Sequence, residues 1–150
     1  MRQNISKELK RFNYLFGETE AAYHEMYLKL GLSDSAISIL YAILENGGSC
    51  LLQHICHYTG RSKQTINSAL RKLEAEGTVY LEMAGAKNKM VHLTKAGREL
   101  AEQTAGRVLA AEDQIFESWK PEDVDKYLEL TEKYLLALKE KARNMQKLEV

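Results

Sequence analysis

From Ile5 the chain repeats one spacing, alternately four and three residues, through Leu9, Phe12, Phe16, Thr19, Tyr23, Met26 and Leu30. That period marks one narrow stripe along a helix. Such a helix is roughly 26 residues long and runs about 39 Å at 1.5 Å per residue, too far for the single core of a 150-residue chain to cover it. A second seam of the same spacing, Val124, Leu128, Thr131, Leu135, Leu138, Ala142 and Met145, follows Pro121, which suits a first helical turn. Two long one-sided helices need partner helices, and an intertwined homodimer supplies them. The expected organisation is helical dimerisation arms at 1–32 and 95–150 around a lobe at 33–94.

Between residues 46 and 98 stand eight Lys or Arg and three acids, and the rest of the chain holds thirteen and eighteen, so a net charge of zero conceals a basic middle and acidic arms. That distribution suits a chain presenting one face to phosphate. The start, MRQNISKELKRF, has no secretory apolar region, and the apolar run at 36–44 is too short to span a bilayer. Cys50 and Cys56 make no disulfide framework. The expectation is a cytoplasmic protein without a membrane segment.

Within the middle, residues 61–77 (RSKQTINSALRKLEAEG) read as a short helix with Ser62 as N-cap and Gly77 as its stop. Ile66, Ala69, Leu70 and Leu73 share one side. Gln64, Ser68 and Arg71 point the opposite way, with Lys63, Thr65, Asn67 and Lys72 on the flanks, and no acid precedes Glu74. Gln, Asn and Arg can each hydrogen-bond two points on a base edge. This is the pattern of a DNA recognition helix, with Gln64, Asn67, Ser68 and Arg71 toward bases, Ser62, Lys63 and Thr65 near the helix start and nearer phosphate, and Lys72 a further DNA contact on the flank.

Its surroundings complete the motif. A helix at 34–45 carries Ile37, Leu40, Tyr41 and Leu44 on one face with Ile39 and Ile43 beside them, and reads as a buried floor. Asn46-Gly47-Gly48 breaks it, a short helix runs from about Leu51 to Tyr58, and Thr59-Gly60-Arg61 turns into the recognition helix. Residues 78–82 and 90–93 read as two strands of a hairpin whose turn, 83–89, carries Lys87, Asn88 and Lys89 as further DNA contacts. Thr94 caps a single helix expected over 95–119.

This order of parts resembles the MarR family of bacterial transcription regulators along nearly the whole chain. The sharper motifs are SKQTINSALRKLEAEG and the wing-to-helix junction VHLTKAG, which is similar to the family's V-x-L-T-x-x-G. The resemblance implies a mostly α fold with a small two- or three-stranded β wing: a winged helix-turn-helix flanked by long N- and C-terminal dimerisation helices. It also implies a homodimer on a palindromic operator of double-stranded DNA, acting as a repressor and released by a small-molecule effector. An aromatic-lined crevice holding Tyr23, Tyr27 and Tyr41 is where that effector would sit. One departure stands out. The family's wing tip commonly has Asp, any residue, Arg, and here those positions are Gly85 and Lys87, a cation without arginine's planar fork.

Other chemistries find less in the residues. A redox sensor would use Cys50, near a helix start, while Cys56 on the inward face is more simply a small buried residue. A metal regulator would draw on His54 and His57, but no set of three or four ligands has metal spacing. No phosphate loop, nucleophile elbow or HExxH is present, so neither an enzyme nor a cofactor is expected. The remaining rival is a winged-helix module for dimerisation or protein contact with no operator of its own.

Overall fold

Serine and glycine set the limits of the first helices. In the computed structural model, which describes residues 4–149, α1 (Lys7–Leu30) starts at Ser6, whose Oγ accepts from the Leu9 amide at 3.1 Å. It ends at Gly31, whose φ of 76° is left-handed, so Ile5 falls just before the helix. Ser33 caps α2 (Asp34–Glu45) by accepting from the Ala36 amide at 3.1 Å. Ile37, Ile39, Leu40 and Ile43 of α2 are wholly buried, so this helix is the floor expected of it. Each such side chain contributes about 1.5–3 kcal/mol on burial.

Strand β1 (Ser49–Leu51), α3 (Leu52–Thr59), α4 (Lys63–Ala75), β2 (Val79–Met83) and β3 (Lys89–Leu93) follow. The sheet is antiparallel in the order β1-β3-β2, with Cys50 paired to Val91 and Val91 to Leu81. Cys50, Val79 and Val91 face the core with Ile55, Ile66, Leu70 and Leu73 from α3 and α4. The hairpin is tighter than expected: Met83 and Lys89 pair as strand ends, leaving residues 84–88 as the turn, closed by a 2.8 Å bond from the Ala84 amide to the Asn88 carbonyl.

Thr94 explains the junction motif. Its Oγ1 donates to the Gly77 carbonyl at 2.6 Å and accepts from the Gly97 amide at 2.9 Å, capping α5 (Lys95–Gln103) while holding it to the end of α4. Gly97 is required by space: a Cβ there would overlap the Thr78 carbonyl oxygen.

The single helix expected over 95–119 is two. Buried Thr104 (φ −119°, ψ −89°) separates α5 from α6 (Ala105–Ser118), its Oγ1 donating to the Leu100 carbonyl at 2.7 Å. The same bond from Thr19, Ser38 and Thr131 leaves α1, α2 and α7 continuous, so the break lies in the Thr104 backbone rather than in its hydroxyl. Pro121 opens α7 (Pro121–Asn144), and an edge-to-face cluster of Phe116, Trp119 and Tyr127 (centroids 5.5–6.2 Å) packs around the α6–α7 turn. Met145, the last residue of the second seam, lies just past the helix as its C-cap.

The chain divides into two compact units, one ending at Leu109 and one beginning at Ala110. Among the described residues no single helix is long and apolar enough to cross a membrane.

Candidate nucleic-acid interface

α3 and α4 are joined through Gly60 (φ 65°), and Thr59 Oγ1 accepts from the Arg61 amide at 3.4 Å. Ser62 then caps α4, accepting from the Thr65 amide at 3.1 Å, and its Oγ lies 2.7 Å from Thr65 Oγ1. Ser62 and Thr65 are thus engaged with each other at the helix start. Ile66, Leu70 and Leu73 are buried and Ala69 is half-buried, which turns Lys63, Gln64, Ser68 and Arg71 to the surface.

Two adjoining hollows cover that surface. Lys63, Gln64, Asn67, Ser68 and Arg71 line one of them. Lys63 and Asn67 also line the second, a cleft of about 400 Å³ closed by Lys87, Asn88 and Lys89 of the wing and by Leu51, Leu52, Gln53 and Cys56. α4 and the wing therefore share one concave surface, with Lys63 and Asn67 common to both hollows. Neither hollow has an acidic residue in its lining, and none of the three lysines has an ion pair among the described residues. Cations without counter-charges around a groove are a ready seat for a polyanion.

Lys72 is set apart. It lines a separate hollow of about 200 Å³ with Gly31, Ser33 and Glu76, on the side of α4 that meets the start of α2. Gln53 was not expected in this surface. The apolar spacing of α3 marks only Leu52, Ile55 and Cys56 as inward, and Gln53 enters because α3 follows β1 directly, which turns its first residues toward the wing.

The tyrosines fall into two places. Tyr23 and Tyr27 adjoin along α1, with ring centroids 6.1 Å apart, and Tyr41 of α2 stacks with Tyr58 of α3 at 6.4 Å. Tyr27 and Tyr41 also pack against the core. Cys50 does lie beside the start of α3, next to its N-cap Leu51, but it is a buried residue of β1, and that burial pushes its thiol above the ordinary value, disfavouring the thiolate a sensor needs. Cys56 is half-buried at the cleft. Among the described residues no three His, Cys, Asp or Glu side chains converge as metal ligands.

Residues 30–86 match the family model described as MarR family. No curated protein matches the chain. Solved structures do. A MarR family regulator from Neisseria meningitidis superposes with a TM-score of 0.78 at 15% identity, covering 93% of this chain and all (100%) of that one. MepR from S. aureus, in its DNA-binding conformation, gives 0.71 at 20% identity over 85% and 98%. BpsR from Bordetella bronchiseptica, whose DNA binding is regulated by 6-hydroxynicotinic acid, gives 0.62 at 18% identity over 83% and 98%. At these identities the superpositions establish the fold, and the sequence likeness to the family is confined to residues 30–86. In fold along the chain and in sequence over residues 30–86, the chain is similar to MarR family regulators.

Proposed function

We propose that the chain is a sequence-specific double-stranded DNA-binding regulator, acting as a homodimeric repressor on a palindromic operator in the cytoplasm. The observation that carries this reading is the acid-free surface shared by α4 and the wing, with Lys63, Lys87 and Lys89 in no ion pair among the described residues. In this reading Gln64, Asn67, Ser68 and Arg71 address base edges, while Lys63, Lys87, Asn88 and Lys89 contact phosphate. Ser62 and Thr65 hold the helix start, and Lys72 contributes at most to the general field. The winged lobe is residues 33–94 and the dimerisation arms are 1–32 and 95–150.

The seams support the dimer. Leu9, Phe12 and Phe16 of α1 are 44%, 41% and 58% exposed, and Leu128, Leu135 and Leu138 of α7 are 50%, 46% and 53% exposed. Large apolar side chains repeated along one helix face at this exposure call for a covering partner. In a symmetric pair the two α4 helices would stand about 34 Å apart and enter successive major grooves. A small-molecule effector, as reported for BpsR, would act by binding DNA-competent and incompetent arrangements unequally. The tyrosines at 23, 27 and 41 are the aromatic side chains we assign to such a ligand.

Binding to the DNA upstream of the chain's own gene, measured by fluorescence anisotropy, tests the reading. Arg71→Ala is expected to weaken binding by roughly tenfold to a hundredfold, the cost of one bidentate base contact, without lowering the melting temperature. Unchanged affinity in that variant would remove α4 from the interface and favour a protein-contact role for the winged lobe.

A further inference from the structure

His92 occupies the middle of the sheet, paired to Ser49 of β1 on one side and to Tyr80 of β2 on the other. Its ring stacks on that of Tyr80, with centroids 4.9 Å apart and planes at 20°. Nδ1 lies 2.6 Å from Ser49 Oγ. Nε2 is buried and has no hydrogen-bond partner among the described residues. The nearest anion is Glu82 Oε2 at 3.7 Å, within ion-pair range but beyond a hydrogen bond. A ring nitrogen buried without a partner is costly, and folds seldom retain one without a use for it.

We propose that His92 is the positioning residue of the wing and that a proton operates it: once charged, its ring bonds Glu82 through Nε2 and Ser49 through Nδ1, tying β2 and β1 together through β3. The proposal rests on the reading of the wing as a DNA contact. A neutral imidazole carries one N–H. If Ser49 donates to Nδ1, the neutral ring offers Glu82 only an uncharged Nε2–H donor. If Nδ1–H donates to Ser49, a bare Nε2 faces a carboxylate. The charged ring is a donor at both nitrogens and turns the Glu82 contact into an ion pair, and histidine is the side chain that ordinarily changes charge between pH 5 and 8.

The neighbouring charges are few. β2 supplies Glu82 and the Tyr80 phenol, and β1 supplies only the neutral Ser49. From α5, the Arg98 guanidinium packs against Gly48, the residue before Ser49. Because Glu82 precedes Met83, whose partner Lys89 closes the ladder, holding Glu82 holds the base from which Lys87 and Lys89 project. Glu82 is 67% exposed, so the link is worth a modest bias rather than a lock.

Amide exchange of residues 84–88 in the free protein, at about pH 5.5 and about pH 8 and corrected for intrinsic rates, reads this link. On acidification, wing protection in the unaltered chain should rise by about two- to fivefold, the range of an exposed ion pair. His92→Gln and Glu82→Gln should abolish the rise. Glu82 is exposed, so Glu82→Gln remains informative should His92→Gln disturb the sheet. An equal rise in Glu82→Gln, or none in the unaltered chain, overturns the proposal. Operator affinity at the same two pH values should show a matching excess over Glu82→Gln, a comparison that cancels any protonation of His54 and His57. Exchange is read without DNA, so failure to bind DNA would sink the functional reading while this arm still decides the role of His92.

Discussion

Gly85 shows how a single residue can redirect a site. Its φ of 119° is a glycine conformation, so the turn excludes the aspartate that the family commonly carries there, and Lys87 reaches outward without that neighbour. Cys50 makes a comparable point about reactivity. Six residues from Cys56 in sequence, it differs because β1 buries it, and burial raises its thiol above the ordinary 9.0. The folded chain therefore holds this proton to higher pH than the unfolded one. Its contribution to stability is complete below the unfolded thiol's range and declines as pH rises through it. The melting temperature should accordingly fall between about pH 8 and 10, and Cys50→Ala should flatten part of that fall. In the same samples, iodoacetamide at neutral pH should label Cys56 before Cys50 by mass spectrometry. Equal labelling would show that β1 opens in the native state.

Among the elements, α4 was the most legible. Its thirteen residues alternate sides at a clean helical period, and the buried set Ile66, Leu70 and Leu73 is the one the wheel selects. β1 was not legible as a strand, since three residues after two glycines give no room for a period of two to show. The break at Thr104 was equally hidden, because the apolar spacing runs through it. The wing was visible as a hairpin, but its partnership with α3 and α4 around one cleft was not. If Lys87 neutralises a phosphate there, Lys87→Ala should flatten the slope of log affinity against log salt by about one ion. Anisotropy titrations across a salt series measure this, and an unchanged slope would leave the wing outside the interface.

At the scale of the whole molecule, the exposed seams of α1 and α7 are the unfinished surfaces. Burying them against a second copy would convert two marginal stripes into continuous interfaces and hold two winged lobes at a set spacing. Leu9→Asp combined with Leu135→Asp should therefore yield a monomer by sedimentation velocity, with each charge stranded in a former apolar contact. Operator affinity should then fall by at least about tenfold, because a single lobe loses the effective concentration that linkage to its twin provides. A variant that stays dimeric would show that the seams are covered some other way.

Local periodicity and charge placement belong to the chain itself. The two seams, the buried floor at 34–45, the acid-free face of α4, the hairpin and the V-x-L-T-x-x-G junction all follow from residues near one another in sequence, where helix and strand periods act directly. What tertiary structure alone decided involves residues far apart. It set Gln53 and Cys56 in the wing cleft, Lys72 away from it, and the Gly97 backbone against Thr78. It also placed His92 between Ser49, 43 residues away, and Glu82. Such neighbours depend on strand register and on the direction in which each helix leaves its turn, and a sequence pattern carries neither.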